Sequence, residues 1–497
     1  MTTNRVDLSP QVSGAPHPVL SPEDSARLQE LLVIADREKA RAEEIGADLV
    51  ARNPDHPDVH IAYARARSQR QDYVTAARHL DIAACLSDAP MTRFNLGYCH
   101  RQLGDYERAA AHLRRGFAMP GGQVINLAAL LSNTLDVLGR RDEARAVLTA
   151  MHGRMAAGEK PILNLLDVFQ SVDGDFRRVA PDLRQRMRAF FAGRKDAVAA
   201  AVLFWMKYDC HAFGRLDDKG ALARLLRRAS RAGAADIGQF WPESFGLPQD
   251  TDLALAAVGH GPARSWIFKP GDFSGGQGIE VLTGEQALAR ARSGTARGIL
   301  QHYVDPPFTV EGRKINLRLL LCLPYHDRPE GYLWRDGLVT ISPAPYAAPE
   351  DGGDTRPHVV NLLTFDTPDV MRPVGPFPCH IAPLKSLLAA PDPGRCLRDL
   401  PDRLAALARG LIDALEAAGF FDEIRALPNP TAFLPRFVGL DVGLDAEGRP
   451  WLFEVERFPG MGGVTEASAA INAAFRADWI DFILAPDPVE HPAFVKL

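Results

Sequence analysis

The chain contains 497 residues, with 57 lysines and arginines against 62 aspartates and glutamates. A net charge of −5 lacks the basic footprint of nucleic-acid binding, and no apolar run reaches the roughly 18 residues of a membrane helix, so we expect no nucleic-acid or membrane partner. The six cysteines include no Cys-x-x-Cys pair, which argues against zinc ribbons and disulfide frameworks. Residues 1–20 lack the basic start and apolar stretch of a secretory signal, and we expect a cytoplasmic protein.

A repeated segment marks the N-terminal third of the chain. The nine residues that begin at Asp72 (DYVTAARHL) recur 33 residues later from Asp105 (DYERAAAHL), and a weaker copy begins at Leu138. This spacing is that of the tetratricopeptide (TPR) helix–turn–helix unit, of which at least three must stack to bury their apolar faces. We therefore predict a loose tail over residues 1–21 and a TPR-like solenoid over residues 22–200. Its groove would bind a peptide or protein, and a spacer or dimer surface without a ligand is the alternative.

The C-terminal part, residues 201–497, mixes short β-like runs with Pro/Gly turns, and its first chemical motif is rich in glycine. An apolar strand ends at Lys269 and runs into a stretch that contains Gly275, Gly276 and Gly278. Glycine lets backbone N–H groups close on phosphate oxygens. A lysine ammonium suits phosphate, and only nine of the 57 basic residues in this chain are lysines. A flexible hairpin turn is the alternative.

Two further strands have patterns that suit a nucleotide. The strand over residues 298–304 stops at a double proline, and its end could offer backbone groups to an adenine edge, although an ordinary edge strand gives the same pattern. In residues 313–321, period-2 alternation places Lys314, Asn316 and Arg318 on one face. That face is either a solvated sheet surface or a cationic surface suited to a triphosphate and a developing oxyanion.

The most informative pattern is a β-hairpin over residues 437–456. The predicted register places Leu440 opposite Phe453 within an entirely apolar face. The other face carries three carboxylates, those of Asp441, Glu454 and Glu456. Asp441 is diagonal to Glu454 and close enough for both side chains to converge on one or two ions. Hard oxygen ligands of this kind suit Mg²⁺ bound with phosphates, and an acidic ribbon facing solvent is the alternative.

Taken in order, these motifs resemble the tubulin–tyrosine ligase family of ATP-grasp ligases, over roughly residues 205–484. Six segments carry the resemblance, namely residues 241–245, 269–279, 301–306, 314–318, 358–361 and 454–456. A single motif of this kind is weak evidence, but six in the family's order are specific. The resemblance implies an α plus α/β architecture, in which the TPR-like solenoid precedes an ATP-grasp ligase domain over residues 201–497.

The resemblance also implies roles for individual residues. ATP's adenine would lie at a hinge made by Gln301, Tyr303 and Val304. Lys269 and Lys314 would bind its phosphates, Gly275, Gly276 and Gly278 would belong to the phosphate loop, and Asn316 would lie beside the nucleotide. The Mg²⁺ ligands would be Asp441, Glu454 and Glu456. Arg318 would stabilise the negative charge at the acyl centre, and Asn361 would orient a substrate or phosphate oxygen. Lys219 matches a further lysine of the family less closely.

Three positions depart from the family pattern. Asn316 stands where the family usually has aspartate, and Val339 stands where an arginine for substrate recognition is expected. Glu456 replaces an asparagine, which keeps an oxygen ligand and adds charge. The metal site is therefore retained, whereas the acceptor pocket is rebuilt, so tubulin itself is a poor guess for the acceptor.

We therefore expect an ATP- and Mg²⁺-dependent carboxylate–amine ligase that adds an amino acid to a peptide or protein through an acyl phosphate. The TPR-like groove would recruit the acceptor. One alternative is a catalytically inactive ATP-grasp scaffold that binds proteins, and ATP turnover with candidate amino acids would separate it from the ligase. Another is a small-molecule peptide ligase whose repeats serve oligomerisation, which full activity of a truncation near Ala201 would favour.

Overall fold

The structure is a computed structural model. It describes residues 18–35, 38–152, 185, 210–233, 236–261, 263–271, 278–294, 296–349, 355–360, 370–433, 435–461, 463, 465–483 and 491–497. These residues form two compact units. The first contains the described residues up to 152 with 210–214 and 424–433, and the second contains residue 185 and the described parts of 215–423 and 435–497. No helix in these residues is both long enough and apolar enough to cross a membrane.

The first unit contains eight α-helices packed in tandem, which confirms the predicted helical repeats. They are α1 (Pro22–Ile34), α2 (Lys39–Arg52), α3 (Pro57–Gln69), α4 (Tyr73–Leu86), α5 (Pro90–Gln102), α6 (Tyr106–Ala118), α7 (Ile125–Val137) and α8 (Arg141–His152). The recurring aspartate is a helix cap, since Asp72 accepts a hydrogen bond from the Thr75 N–H (3.1 Å) and Asp105 caps α6 in the same way. A glycine lets α5 and α6 approach closely, because a Cβ atom on Gly97 would lie 2.4 Å from Leu113 Cγ.

A segment from much later in the chain also packs within the first unit, against α7. It includes a short 3₁₀ helix over Pro430–Ala432. Asn133 on α7 donates a hydrogen bond from Nδ2 to the Ala432 carbonyl (2.6 Å), and Asn429 donates from Nδ2 to the Asp136 carbonyl (3.0 Å). Part of the repeat surface is therefore covered by the chain itself. The predicted continuation of the solenoid over residues 162–191 lies outside the described residues.

The second unit contains two antiparallel β-sheets. The smaller sheet has the order β1-β4-β2-β3, with β1 (Ser244–Leu247), β2 (Trp266–Pro270), β3 (Glu280–Leu282) and β4 (Gly298–His302). The larger sheet has eight strands: β5 (Thr309–Val310), β6 (Arg313–Leu323), β7 (Tyr332–Trp334), β8 (Leu338–Ile341), β9 (Ile381–Pro383), β10 (Arg436–Leu444), β11 (Pro450–Glu456) and β12 (Phe494–Lys496). Its main path is β11-β10-β6-β7-β12, while β5 and β8 also pair with β6, and β9 pairs with β8.

The later part of the chain adds nine described helices around these strands. They are α9 (Gly214–Asp217), α10 (Lys219–Arg231), α11 (Thr251–His260), α12 (Gly284–Arg292), α13 (Leu384–Ala389), α14 (Pro393–Cys396), α15 (Leu400–Ala417), α16 (Phe420–Arg425) and α17 (Glu466–Ile483). Helices and sheets alternate along this part of the chain, so the predicted fold class, helical repeats followed by a mixed sheet-and-helix domain, is confirmed.

Alternation along the central strands separates a core face from a face with charged residues. Leu317 on β6 and Leu440 on β10 are both at most 2% exposed and belong to the apolar face. The opposite face is apolar at one end, where Phe437 packs against Trp479 of α17 with ring centroids 5.0 Å apart. Further along β10, the same face carries Asp441. The candidate site therefore begins where the aromatic packing ends.

Candidate active site

Three carboxylates converge on this face of the larger sheet. They belong to Asp441 on β10 and to Glu454 and Glu456 on β11, and one oxygen atom from each lies within 4.8 Å of the other two. Asp441 lies directly opposite Glu454 in the ladder, rather than diagonal to it as predicted. Gly439 lies opposite Glu456, and a side chain there would crowd Arg318, whose Cδ would be 3.1 Å from the added Cβ atom. The structure thus brings together the three residues that the sequence selects as metal ligands.

The predicted register of this hairpin is wrong. Leu444 pairs with Pro450, one residue later than predicted, and an irregularity in the ladder leaves Phe453 without a direct partner. A bulge of this kind adds one residue to one strand. The Phe453 ring therefore lies over Gly443, where an added Cβ atom would be 2.2 Å from the ring, and not in the core opposite Leu440. At Asp441 the observed pairing differs from the predicted one by two residues. Because side chains alternate between faces with a period of two, the three acids stay on the predicted face.

Cationic side chains lie among the acids. Arg318 on β6 donates hydrogen bonds to both carboxylate oxygens of Asp441 and, through Nη1, to Glu456 Oε2 at 2.8 Å. Lys219, the first residue of α10, places its Nζ atom 3.4 Å from Glu454 Oε1. Burial opposes the charge of both cations, but the neighbouring carboxylates prevail and raise the pKa of Arg318 and of Lys219. The acids and cations together form one ion-pair network.

The two glutamates of this network have opposite pKa shifts. Burial favours the neutral form of both. At Glu454 the positive charges of Lys219 and Lys269 outweigh burial, and the pKa is lowered. At Glu456 burial outweighs the charge of Arg318, and with the neighbouring acids it raises the pKa to about 7. An ionised carboxylate with other oxygen donors within 4.8 Å is a donor set that fits Mg²⁺.

Two buried lysines lie close to the acids. Lys269 on β2 donates to Gln301 Oε1 (2.9 Å), and Lys314 on β6 donates to the Tyr303 hydroxyl (3.2 Å) and the His358 carbonyl (3.0 Å). These acceptors are neutral, and neither lysine forms an ion pair within the described residues. Burial lowers the pKa of Lys269 to about 8 and that of Lys314 to about 7. Buried cations with neutral partners fit an anionic ligand such as a phosphate chain.

Phe453 connects the lysines with the acidic strand. The Nζ atoms of Lys269 and Lys314 lie 5.4 Å and 5.7 Å from the centre of its ring, and Lys269 Nζ also lies 3.4 Å from the Phe453 carbonyl oxygen. The sequence pattern missed this residue because strict alternation assigns it to the core. The signal that could have identified it is Gly443, which leaves room for a large ring on the acidic face.

The other predicted nucleotide residues have mixed outcomes. Gln301 is buried and donates a hydrogen bond from Nε2 to Ser244 Oγ (2.9 Å). The Tyr303 hydroxyl oxygen lies 3.0 Å from His358 Nδ1. Val304 is buried. Gly278 has a φ of +67°, a conformation that favours glycine. Three predicted residues lie outside the described residues, namely Gly275, Gly276 and Asn361.

Two of the three departures from the family pattern, Asn316 and Val339, lie on neighbouring strands. Asn316 lies between Gly443 and Thr340 in the sheet, and its Oδ1 atom is buried with no hydrogen-bond partner in the described part of the chain. Val339 is fully buried opposite Leu317, on the apolar face. Because neighbouring residues of a strand point to opposite faces, Thr340 and not Val339 belongs to the site. The predicted departure at Val339 therefore lies on the apolar face of β8, away from the acids.

Comparisons with known proteins point to one family. Residues 210–363 match the tubulin-tyrosine ligase family. Human tubulin monoglutamylase TTLL4 is 32% identical over 288 residues, which are 54% of this chain and 23% of the relative. Tubulin polyglutamylase ttll-4 of Caenorhabditis briggsae is 24% identical over 322 residues, or 62% of this chain and 46% of the relative. The chain thus covers less than half the length of these relatives.

The family match includes the strands that carry the cationic half of the site. Lys269, Lys314 and Arg318 all lie within the matched residues, and the ladder between β6 and β10 sets Arg318 against Asp441. Five of the six motifs that suggest the family from the sequence fall within the matched residues, and the sixth, residues 454–456, lies outside them. The chain carries a domain of the tubulin–tyrosine ligase family.

Proposed function

We propose that this chain is an ATP- and Mg²⁺-dependent carboxylate–amine ligase that adds an amino acid to a peptide or protein. The observation that carries the proposal is the convergence of three carboxylates, within 4.8 Å of one another, with two buried lysines whose described partners are neutral. The relatives are named as tubulin glutamylases, which supports a peptide or protein acceptor. The acceptor of this chain need not be tubulin.

In the proposed complex the nucleotide lies along the lysines and the strand end at residues 301–304. Lys269 and Lys314 would bind its phosphates, together with backbone N–H groups at Gly275, Gly276 and Gly278. Gln301, Tyr303 and Val304 would line the adenine, with Asn316 beside the nucleotide. Asp441, Glu454 and Glu456 would hold Mg²⁺, which neutralises phosphate charge and aligns the γ-phosphoryl group.

The proposed chemistry has two steps that share one site. A substrate carboxylate oxygen attacks the γ-phosphorus of ATP, which gives an acyl phosphate and releases ADP. The amine nitrogen of the second substrate then attacks the acyl carbon and loses a proton, phosphate leaves, and an amide bond remains. Arg318 would stabilise the oxygen that becomes negative in this step, for which its Nη1 contact to Glu456 would be exchanged for one to substrate. Asn361 would orient a substrate or phosphate oxygen.

The proposed organisation keeps the tail over residues 1–21, the repeats over residues 22–200 and the ligase domain over residues 201–497. In this organisation the repeats would recruit the acceptor, a role that suits a protein ligase better than a small-molecule ligase. The part of α7 that contacts Asn429 and Ala432 is already occupied. An acceptor recruited by the repeats would therefore bind elsewhere on the first unit.

Nucleotide binding with a matched pair of variants tests the proposal. We expect the purified chain to bind a non-hydrolysable ATP analogue more tightly with Mg²⁺ than without it. Glu454→Ala should weaken the Mg²⁺-dependent binding by at least about tenfold, since it removes a proposed metal ligand. Glu447→Ala, at an exposed position in the turn of the same hairpin, should have no effect. If Mg²⁺-dependent binding is absent, or the two variants behave alike, the enzyme proposal fails.

A second experiment separates the ligase from an inactive scaffold. The chain is incubated with ATP, mixed amino acids and cell extract, and proteins are examined by mass spectrometry for the added mass of one residue or more. ATP turnover with an added residue supports the ligase. Mg²⁺-dependent nucleotide binding without turnover under all amino acid mixtures would favour the scaffold.

A further inference from the structure

We infer that His358 is a positioning residue for Lys314 and acts on it through the hydroxyl group of Tyr303. The inference rests on the ligase function proposed above and deepens it, because it concerns a lysine that would bind the phosphates of ATP. It is carried by a buried cluster in which a single hydroxyl group joins this lysine to the histidine.

The three side chains lie close together and are shielded from solvent, since each residue is at most 6% exposed. Lys314 Nζ lies 3.2 Å from the Tyr303 hydroxyl oxygen, and that oxygen lies 3.0 Å from His358 Nδ1. The backbone carbonyl of His358 also accepts a hydrogen bond from Lys314 Nζ, at 3.0 Å. His358 therefore acts on the lysine at two points, directly through its backbone and indirectly through Tyr303.

The chemistry of these groups gives both hydrogen bonds a direction. A lysine ammonium group has three donors and no acceptor, so Lys314 Nζ donates to the Tyr303 oxygen. The hydroxyl group has one proton, and it donates this proton to His358 Nδ1. This network assigns the ring proton of the neutral histidine to Nε2. With its proton held by the histidine, the hydroxyl oxygen turns its lone pairs to the lysine.

Aromatic packing fixes the orientation of the histidine ring. The rings of Tyr303 and His358 are nearly perpendicular, with centroids 5.5 Å apart. A second tyrosine, Tyr346, packs edge-on against the His358 ring with centroids 5.8 Å apart, and its hydroxyl group donates to Asp305. Lys314 Nζ also lies 4.6 Å from the centre of the Tyr303 ring, a contact that favours the ammonium form. The acceptor at Nδ1 is thus held in place without any bound ligand.

The charges around Lys314 predict how the hydrogen bonds should affect binding. Burial and the charge of Lys269 lower the pKa of Lys314 to about 7, whereas the carboxylate of Asp305 acts in the opposite direction. Lys314 forms no ion pair within the described part of the chain, so its charged form depends on the neutral acceptors of Tyr303 and His358.

This dependence should appear only at high pH. At pH 8.5 the lysine of the free chain is mostly neutral, and a bound phosphate chain brings it to the charged form. Loss of an acceptor therefore weakens binding at pH 8.5 and has little effect at pH 6, where the lysine is charged before and after binding. A lysine that is merely displaced would instead bind phosphate less well at both pH values.

Binding of a non-hydrolysable ATP analogue with Mg²⁺, measured with the full chain at both pH values, tests the inference. Tyr303→Phe should weaken binding about tenfold at pH 8.5 and less than about twofold at pH 6. His358→Leu should weaken it about threefold at pH 8.5 and add less than about twofold to Tyr303→Phe, because both act through one hydrogen bond. His358→Asn, whose side-chain oxygen replaces the Nδ1 acceptor, should restore binding to within about twofold of the wild type.

The matched control removes a buried hydroxyl group elsewhere in the second unit. Tyr332 is 1% exposed, and its hydroxyl group donates to Glu330 Oε1 at 2.7 Å. Tyr332→Phe should bind the nucleotide like the wild type at both pH values. Circular dichroism and thermal unfolding should show that all variants are folded.

A second measurement needs no nucleotide. The chain is labelled with ¹³C in its nine lysine side chains, and the Lys314 resonance is identified by its absence from Lys314→Met. Its pKa should fall by about one pH unit in Tyr303→Phe and by about half of that in His358→Leu, and it should be unchanged in His358→Asn.

Three outcomes would overturn the positioning role. These are equal losses of affinity at pH 6 and pH 8.5, additive effects of Tyr303→Phe and His358→Leu, or a Lys314 pKa that neither substitution changes. If the wild type binds no nucleotide while the pKa of Lys314 still falls in both variants, the ligase function fails and the positioning role stands. If nucleotide binds with Mg²⁺ and both variants match the wild type, the positioning role fails and the ligase function stands.

Discussion

Nucleotide binding by this protein should take up protons at alkaline pH, because of the two buried lysines. Burial lowers the pKa of Lys314 to about 7 and that of Lys269 to about 8. A phosphate chain placed against them would favour their charged forms and raise both pKa values towards the ordinary value for lysine. Binding and protonation are then linked, and affinity for nucleotide should fall as the pH rises above 7.

The expected uptake follows from these two pKa values. At pH 8 a lysine with a pKa of about 7 is about 10% protonated, and one with a pKa of about 8 is half protonated, so full protonation takes up about 1.4 protons. At pH 6 both lysines are already charged and their uptake falls to about 0.1 proton, whereas Glu456 is about 90% protonated there and would release about 0.9 proton on metal binding. Glu456, with its pKa raised to about 7, is mostly ionised at pH 8. Its deprotonation on metal binding would therefore release only about 0.1 proton.

Isothermal titration calorimetry measures this uptake directly. The chain is titrated with Mg²⁺ and a non-hydrolysable ATP analogue in two buffers of equal pH and different ionisation enthalpy, and the difference in heat gives the number of protons. Lys314→Met should lower the uptake at pH 8 by about 0.9 proton. Lys385→Met is the control, since the Lys385 side chain is 74% exposed. Binding without uptake at pH 8, or uptake that Lys314→Met leaves unchanged, would refute the reasoning.

Three substitutions test the packing that forms the site and the repeats. Gly443→Ala should weaken nucleotide binding about tenfold, because the added Cβ atom would lie 2.2 Å from the Phe453 ring and displace it. Gly460→Ala is the control in the same calorimetric assay and should bind normally, since no atom lies within 4 Å of a Cβ atom added there. Gly97→Ala should lower the free energy of unfolding, measured in urea, by about 1–3 kcal/mol because the added Cβ atom clashes with Leu113. Gly259→Ala is the control and should not lower it, because a Cβ atom at this helical position meets no other atom. Asn429→Ala removes the hydrogen bond to the Asp136 carbonyl and should cost about 1–3 kcal/mol in the same measurement, and an unchanged midpoint would contradict the packing of this segment against α7.

The helical repeats could be predicted because their signals are local. The aspartate that recurs after 33 residues caps a helix within its own repeat, and Gly97 meets Leu113 of the next helix. The face of the acids could also be predicted, because it depends on whether residue positions are odd or even. The pairing at the turn is shifted by one residue from the prediction and the bulge at Phe453 shifts it by one more, which still leaves Asp441 and Glu454 on one side. The face of the sheet on which a residue lies can thus be predicted even where the exact strand pairing cannot.

Other features leave no signal in the local sequence. Asn133 and Ala432 are 299 positions apart in the chain, and no periodicity connects them. The face on which Val339 lies could not be read from β8 alone, since only the ladder between β6 and β8 shows that Thr340 shares the site's face while Val339 is buried on the other. The bulge could not be predicted either, because an extra residue in one strand does not change the composition of the hairpin. Features of this kind depend on tertiary contacts, which single-strand patterns do not encode.

The packing of residues 429–432 against α7 also limits what a truncation can show about the acceptor. A chain that begins at Ala201 would lack α7, and the hydrogen bonds from Asn133 and to Asp136 would be lost with it. Loss of activity in that truncation could then reflect lost folding as easily as lost recruitment of the acceptor. Acceptor binding is therefore better tested by substituting exposed residues of the full chain than by deleting the repeats.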